Sequence, residues 1–185
     1  MIYDLPTRLE VCGVEYEIRS DYRAVLDICT ALSDMDLNNK EKAIVCLDIM
    51  YKDFDKMPVE QYEEALKKCF WFIRCGEEED SSKAPKLMDW EQDFPYIVAP
   101  VNRVLGVEIR SLDYLHWWSF ISAYYEIGDC LFAQIARIRY KLAKGQSLDK
   151  EERKWYNEHR SLVDLKTKYS EAEEQLLREW GCLNG

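Results

Sequence analysis

The run of residues 111–120, Ser-Leu-Asp-Tyr-Leu-His-Trp-Trp-Ser-Phe, constrains the fold most, because large apolar side chains are denser here than elsewhere in the chain. It holds two of the six tryptophans and one of the two histidines, and it has no lysine or arginine. Helical spacing after Ser111 as N-cap predicts a helix with an apolar surface wider than one stripe. Such a helix is buried on two sides or leaves an exposed apolar face that can bind another protein.

Apolar residues recur at three- and four-residue intervals over most of the chain, which predicts roughly seven helices. The predicted helices cover approximately residues 20–32, 40–51, 58–75, 89–105, 111–125, 131–143 and 148–180. Only the segments on either side of Gly13 alternate apolar and polar residues, which is typical of a β-hairpin. The predicted fold class is therefore mainly α, a multi-helix bundle with a small N-terminal β-hairpin.

A chain of 185 residues is close to the usual size of one domain, so a single helical domain over 1–185 is predicted. A possible subdivision places the hairpin and three helices in 1–75, an acidic flexible loop in 76–88, and the remaining helices in 89–185. The loop is interpreted as a solvated connection or, alternatively, as a docking segment for a basic partner.

Three local patterns carry further predictions. Asp89 and Gln92 have the spacing of a capping box, and Pro95 and Pro100 predict that the following helix is short, kinked or split before Gly106. Four basic residues form a small patch that complements the dipole at the end of a helix. They are Arg137, Arg139, Lys141 and Lys144.

The segment from Leu148 to about Trp180 is predicted to be one long helix, because apolar residues recur every seven positions. These residues are Leu148, Trp155, Leu162, Tyr169 and Leu176. Charged Glu151 and Glu158 interrupt the companion row. The helix is expected to dock either along its own bundle or on a partner.

No catalytic, cofactor-binding or metal-binding residue is predicted. Asp113 could orient His116, but no second ligand or nucleophile is nearby, so a structural role is favoured. His159 is expected to face solvent. The seven glycines are scattered singly and form no phosphate loop.

The formal net charge of −10 argues against a nucleic-acid partner. No stretch is long and apolar enough for a membrane helix, and Met1–Asp4 does not begin a signal peptide, so a cytoplasmic protein is expected. The seven cysteines are an odd number without a CxxC pair. They are predicted to be free, mostly buried thiols.

Two blocks of the sequence resemble small proteins of tailed bacteriophages and prophages of Gram-positive bacteria. The first comprises Tyr3 to Thr7, Val11, Gly13, Tyr16 to Ile18 and Asp21 to Arg23. The second comprises Met88 to Asp93, Tyr96, Ile97 and Leu112 to Phe120, followed by Ile138 to Tyr140. In that family the genes usually lie between those of the major tail protein and the tape measure protein.

The resemblance implies a non-catalytic tail assembly chaperone that binds the tape measure protein, other tail proteins or both, in the host cytoplasm. A homo-oligomer is compatible with it, and absence from the mature virion is expected. The alternatives are a minor structural tail or connector protein and an uncharacterised helical enzyme. Candidate protein-binding residues are Tyr114, Trp117, Trp118, Tyr124, Trp155, Leu162, Tyr169 and Leu176.

Overall fold

The computed structural model describes residues 4–77, 85 and 87–166. Contacts within the chain define two compact units, which we call unit 1 (described residues 4–77) and unit 2 (described residues 85 and 87–166). Helices dominate both units, and the two-stranded sheet of unit 1 is antiparallel. The predicted mainly α fold with an N-terminal hairpin is confirmed.

The hairpin pairs β1 (Arg8–Val11) with β2 (Val14–Glu17). Two residues connect the strands, and both have positive φ, 49° at Cys12 and 78° at Gly13. This backbone fits a type I′ turn, whose twist matches that of the strands. Leu9 and Val11 are buried and anchor the hairpin to the helices.

Unit 1 continues with α1 (Tyr22–Ser33), α2 (Asn39–Met50) and α3 (Tyr62–Ile73), with 3-10 turns at Phe54–Lys56 and Val59–Gln61. Asn38 and Glu41 form a reciprocal capping box at the start of α2. Both faces of α2 are used, since it packs on α1 and on α3.

Each of these helices contributes one cysteine to the interior side: Cys46 and Cys69 are buried in the core of unit 1, and Cys29 is half-buried. Burial raises the pKa of Cys29 to about 12 and that of Cys46 to about 11. Burial also raises the pKa of Cys69 far above its ordinary value. These thiols stay protonated and act as small apolar side chains. Cys12, by contrast, is exposed.

Unit 2 contains α4 (Trp90–Leu105), a 3-10 turn (Ile109–Ser111), α5 (Trp117–Tyr125), α6 (Leu131–Ala143), α7 (Lys150–Glu158) and α8 (Arg160–Val163). The prediction of a short or split helix after Asp89 is wrong, because α4 runs through both prolines. Fully buried Ile97 and Val101 stabilise α4 despite the lost N–H groups. Gly106 ends it in the left-handed conformation, as predicted.

The capping predictions are partly corrected. Asp89 is the N-cap of α4 and accepts from the Gln92 N–H, but the reciprocal bond runs from the Asp89 N–H to Asp93. Ser111 does not cap the aromatic helix, which begins six residues later with His116 as N-cap. Ser111 instead ends a 3-10 turn.

The prediction of one continuous helix from Leu148 is wrong within the described residues. The chain leaves the helical conformation at His159, and a new short helix ends at Val163. This break lets Val163 reach a buried cluster with Ile138 and Leu148. The described part of the segment therefore packs against the other helices of unit 2. Tyr169 and Leu176 lie outside the described residues.

Candidate protein-binding surface

The aromatic residues around the start of α5 divide into an interior and an exterior set. His116 is the N-cap, and its Nδ1 accepts a hydrogen bond of 3.0 Å from the Trp118 N–H. Trp117 and Phe120 then point into the core and are 2% and 0% exposed. Tyr114 is 52% exposed, and Trp118 is half-buried. The wide apolar surface predicted for this run is thus mostly interior, with an exposed remainder.

The interior set is organised by Trp90 in the first turn of α4. Its ring lies 5.8 Å from that of Trp117, 5.9 Å from Phe120 and 5.5 Å from Tyr124. Tyr124 also contacts Phe132 of α6 at 6.0 Å. These five rings join three helices and form the aromatic core of unit 2.

Two outer rings, Tyr114 and Trp118, lie on either side of the buried His116 imidazole, and we call this row of three rings the aromatic strip. The Tyr114 and His116 centroids are 6.5 Å apart and those of His116 and Trp118 are 6.1 Å apart, both edge to face. The imidazole is buried and helps to fix the two larger rings. The structural role predicted for His116 is confirmed by its capping bond.

The other predicted binding residues within the described ranges, apart from interior Trp117, are half-buried. Tyr124 is half-buried, its hydroxyl donates to the Met88 sulfur at 3.4 Å, and burial raises its pKa to about 12. Trp155 stacks on His159 at 4.4 Å, and His159 is half-buried, so the expectation that it faces solvent holds only in part. Leu162 is half-buried. Binding by any of these residues stays a prediction.

The predicted basic patch on α6 is not a patch. Arg139 is 6% exposed and forms two hydrogen bonds, of 2.6 and 3.0 Å, to the fully buried carboxylate of Asp93. Its other three donors reach the carbonyl oxygens of Leu87 (3.1 Å), Leu162 (3.0 Å) and Val163 (2.5 Å). All five guanidinium N–H groups are therefore used.

A sequence signal for this buried pair existed. Asp93 lies four residues before Ile97, and Arg139 lies four residues after Ile135, so each occupies the buried stripe of its helix. Of the other basic residues on α6, Lys141 pairs with Glu152 at 2.6 Å.

Large apolar side chains are also exposed outside the aromatic strip. In unit 2 they are Val104, Leu105, Val107, Tyr125, Leu131, Tyr140 and Leu142. Within the described ranges, no group of three or more His, Cys, Asp or Glu side chains could hold a metal ion. No helix of the described part is long and apolar enough to cross a membrane.

The fold defines a class of small, mainly helical protein with an N-terminal hairpin. Residues 1–165 match the family model described as Bacteriophage Gp15 protein, and the chain belongs to this family. Neither the curated proteins nor the solved structures give a match. The resemblance to a bacteriophage family is thereby confirmed, whereas Gram-positive hosts and the gene position stay predictions.

Proposed function

We propose that this bacteriophage protein is a non-catalytic tail assembly factor with chaperone character. It binds the tape measure protein, other tail components or both during tail morphogenesis in the host cytoplasm. Membership of the bacteriophage family supports a role during phage growth. The single structural observation that carries the binding proposal is the aromatic strip, where a half-exposed tyrosine is joined through His116 to a half-buried tryptophan.

The chemistry of the aromatic strip suits a helical client. Tyr and Trp combine a large apolar surface with one polar group, and they are enriched where proteins bind proteins. The N-cap bond fixes the His116 imidazole, and the edge-to-face contacts of Tyr114 and Trp118 with this ring reduce the side-chain entropy that they lose on binding. A long helical client with apolar stripes would place side chains spaced three and four residues apart on such a row.

Co-expression with the tape measure protein of the same genome tests the proposal. A complex should co-purify, and the fraction of soluble tape measure protein should rise. The double variant Tyr114→Ala, Trp118→Ala should lose most of both effects. Tyr125→Ala is the matched control, because Tyr125 is 75% exposed on the same helix region but lies outside the aromatic strip.

The outcome can contradict the proposal in two ways. Equal solubility of the tape measure protein with and without this chain, with no complex, would exclude the chaperone role. Stoichiometric recovery of the chain in purified virions by mass spectrometry would instead support the minor structural or connector protein.

A further inference from the structure

The extended segment Asp164–Lys166, which we call the strap, is bound by one side chain in the way that a neighbouring strand would bind it. The Gln92 amide donates from Nε2 to the Asp164 carbonyl at 2.9 Å. The Lys166 N–H in turn donates to Gln92 Oε1 at 3.0 Å. A single amide therefore satisfies a main-chain acceptor and a main-chain donor two residues apart.

Arg139 extends this recognition towards α8. Its Nε and Nη2 groups donate to the carbonyl oxygens of Val163 and Leu162, while Asp93 fixes the other side of the guanidinium. Together Gln92 and Arg139 make four hydrogen bonds to residues 162–166, and all four involve main-chain atoms. Bonds of this kind recognise an extended or terminating chain whatever its sequence.

Two side-chain contacts add selectivity. Val163 is 1% exposed and packs with Ile138 and Leu148, so an apolar residue is required at that position. Asp164 follows it and accepts a hydrogen bond of 2.8 Å from the Tyr156 hydroxyl. The cleft therefore fits an apolar residue followed by an acidic one.

We propose that Gln92 and Arg139 form a peptide-binding cleft, and that the strap occupies it as an autoinhibitory segment. The ligand is an extended segment of a partner protein with an apolar residue followed by an acidic residue, which replaces Val163 together with the strap. The helix before the strap has only four residues and begins after the non-helical His159. Detachment from that point breaks no backbone hydrogen bond within α4 or α6. The proposal is independent of tail assembly and of the aromatic strip.

The test uses the full-length chain and a fluorescein-labelled heptapeptide with the sequence of residues 160–166. Lys166→Pro removes the N–H that bonds to Gln92 without changing a buried side chain, which weakens the strap in cis. Fluorescence anisotropy should show the peptide binding about tenfold more tightly to this variant than to the wild type, since a larger fraction of the cleft is free. Lys166→Ala, which keeps the N–H, is the matched control and should bind as the wild type does.

Two further measurements locate the site. Adding Gln92→Leu to Lys166→Pro should abolish the gain, and a peptide with aspartate in place of its valine should not bind. Val163→Asp, which expels the strap more completely, should also bind the peptide if circular dichroism shows it folded.

Three results would overturn the proposal. They are equal peptide affinity for all variants, binding that survives Gln92→Leu, and a wild-type dimer that Lys166→Pro converts to a monomer. The last would mean that two copies exchange their straps.

Discussion

Replacing Arg139 with methionine is the sharpest test of how unit 2 is held together. The change leaves Asp93, which is 0% exposed, without its counter-charge, and breaking a buried ion pair from one side costs about 3–5 kcal/mol. The carbonyl groups of Leu87, Leu162 and Val163 also lose a donor. Water entering the cavity will hydrate some of these carbonyl groups and the carboxylate, so we expect a total loss of about 3–5 kcal/mol in the free energy of unfolding. This is a large share of a typical domain stability of about 5–15 kcal/mol.

Hydrogen exchange by mass spectrometry through a urea series measures this loss in α4 and α6 separately from unit 1. The double variant Asp93→Leu, Arg139→Met should lose less stability than the two single changes together, by about 2–3 kcal/mol, because no buried charge is stranded. Arg137→Met is the control on the same helix. Its ion pair with the exposed Asp129 spans 3.4 Å, and its loss should cost less than about 0.5 kcal/mol.

A loss below about 1 kcal/mol in Arg139→Met, or additive effects in the double variant, would refute the reasoning. Either result would mean that the pair is hydrated and contributes little.

Three smaller predictions concern exposed sites. Hydrogen bonds from Arg110 hold the pKa of Glu108 at about 2, so the contribution of this carboxylate to stability is complete above about pH 4.5 and is lost as the pH falls to about 2. The difference in urea midpoint between wild type and Glu108→Gln should therefore disappear over that range. A difference that stays constant would contradict this. The carboxylate of Glu64 accepts a hydrogen bond from Cys12 and raises the pKa of that thiol. Glu64→Gln should therefore speed the alkylation of Cys12 at pH 8, measured by peptide mass spectrometry. An unchanged rate would show that the bond is absent in solution. Gly13→Val should cost about 1–2 kcal/mol in thermal unfolding because of its φ of +78°, and an unchanged Tm would argue against the turn.

Local patterns could be predicted from the sequence, and long-range pairs could not. The hairpin depends on alternation around Gly13, and α2 begins within one residue of the predicted position, because both are decided by neighbouring residues. The buried pair of Asp93 and Arg139 joins positions 46 residues apart. The buried stripes of α4 and α6 mark each residue as a candidate for burial, but they do not identify its partner on the other helix.

The C-terminal segment shows the same limit. The seven-residue repeat correctly marks Leu148 as buried and Trp155 as packed against that cluster, but it also selects Leu162. The structure buries the next residue, Val163, because the chain turns at His159 to reach Ile138. Prediction of the candidate binding surface has the same limit. The sequence located the aromatic run, but it could not distinguish interior Trp117 from half-buried Trp118.

The position of Arg139 has a mechanical consequence. One guanidinium holds the main chain at Leu87 and again at Val163, close to both ends of the described part of unit 2. Tension applied through the flanking chain therefore meets the hydrogen bonds of Gln92 and Arg139 before it reaches the aromatic core. Under load, unit 2 should yield first at its ends, and it should recover quickly because the packed rings have not separated.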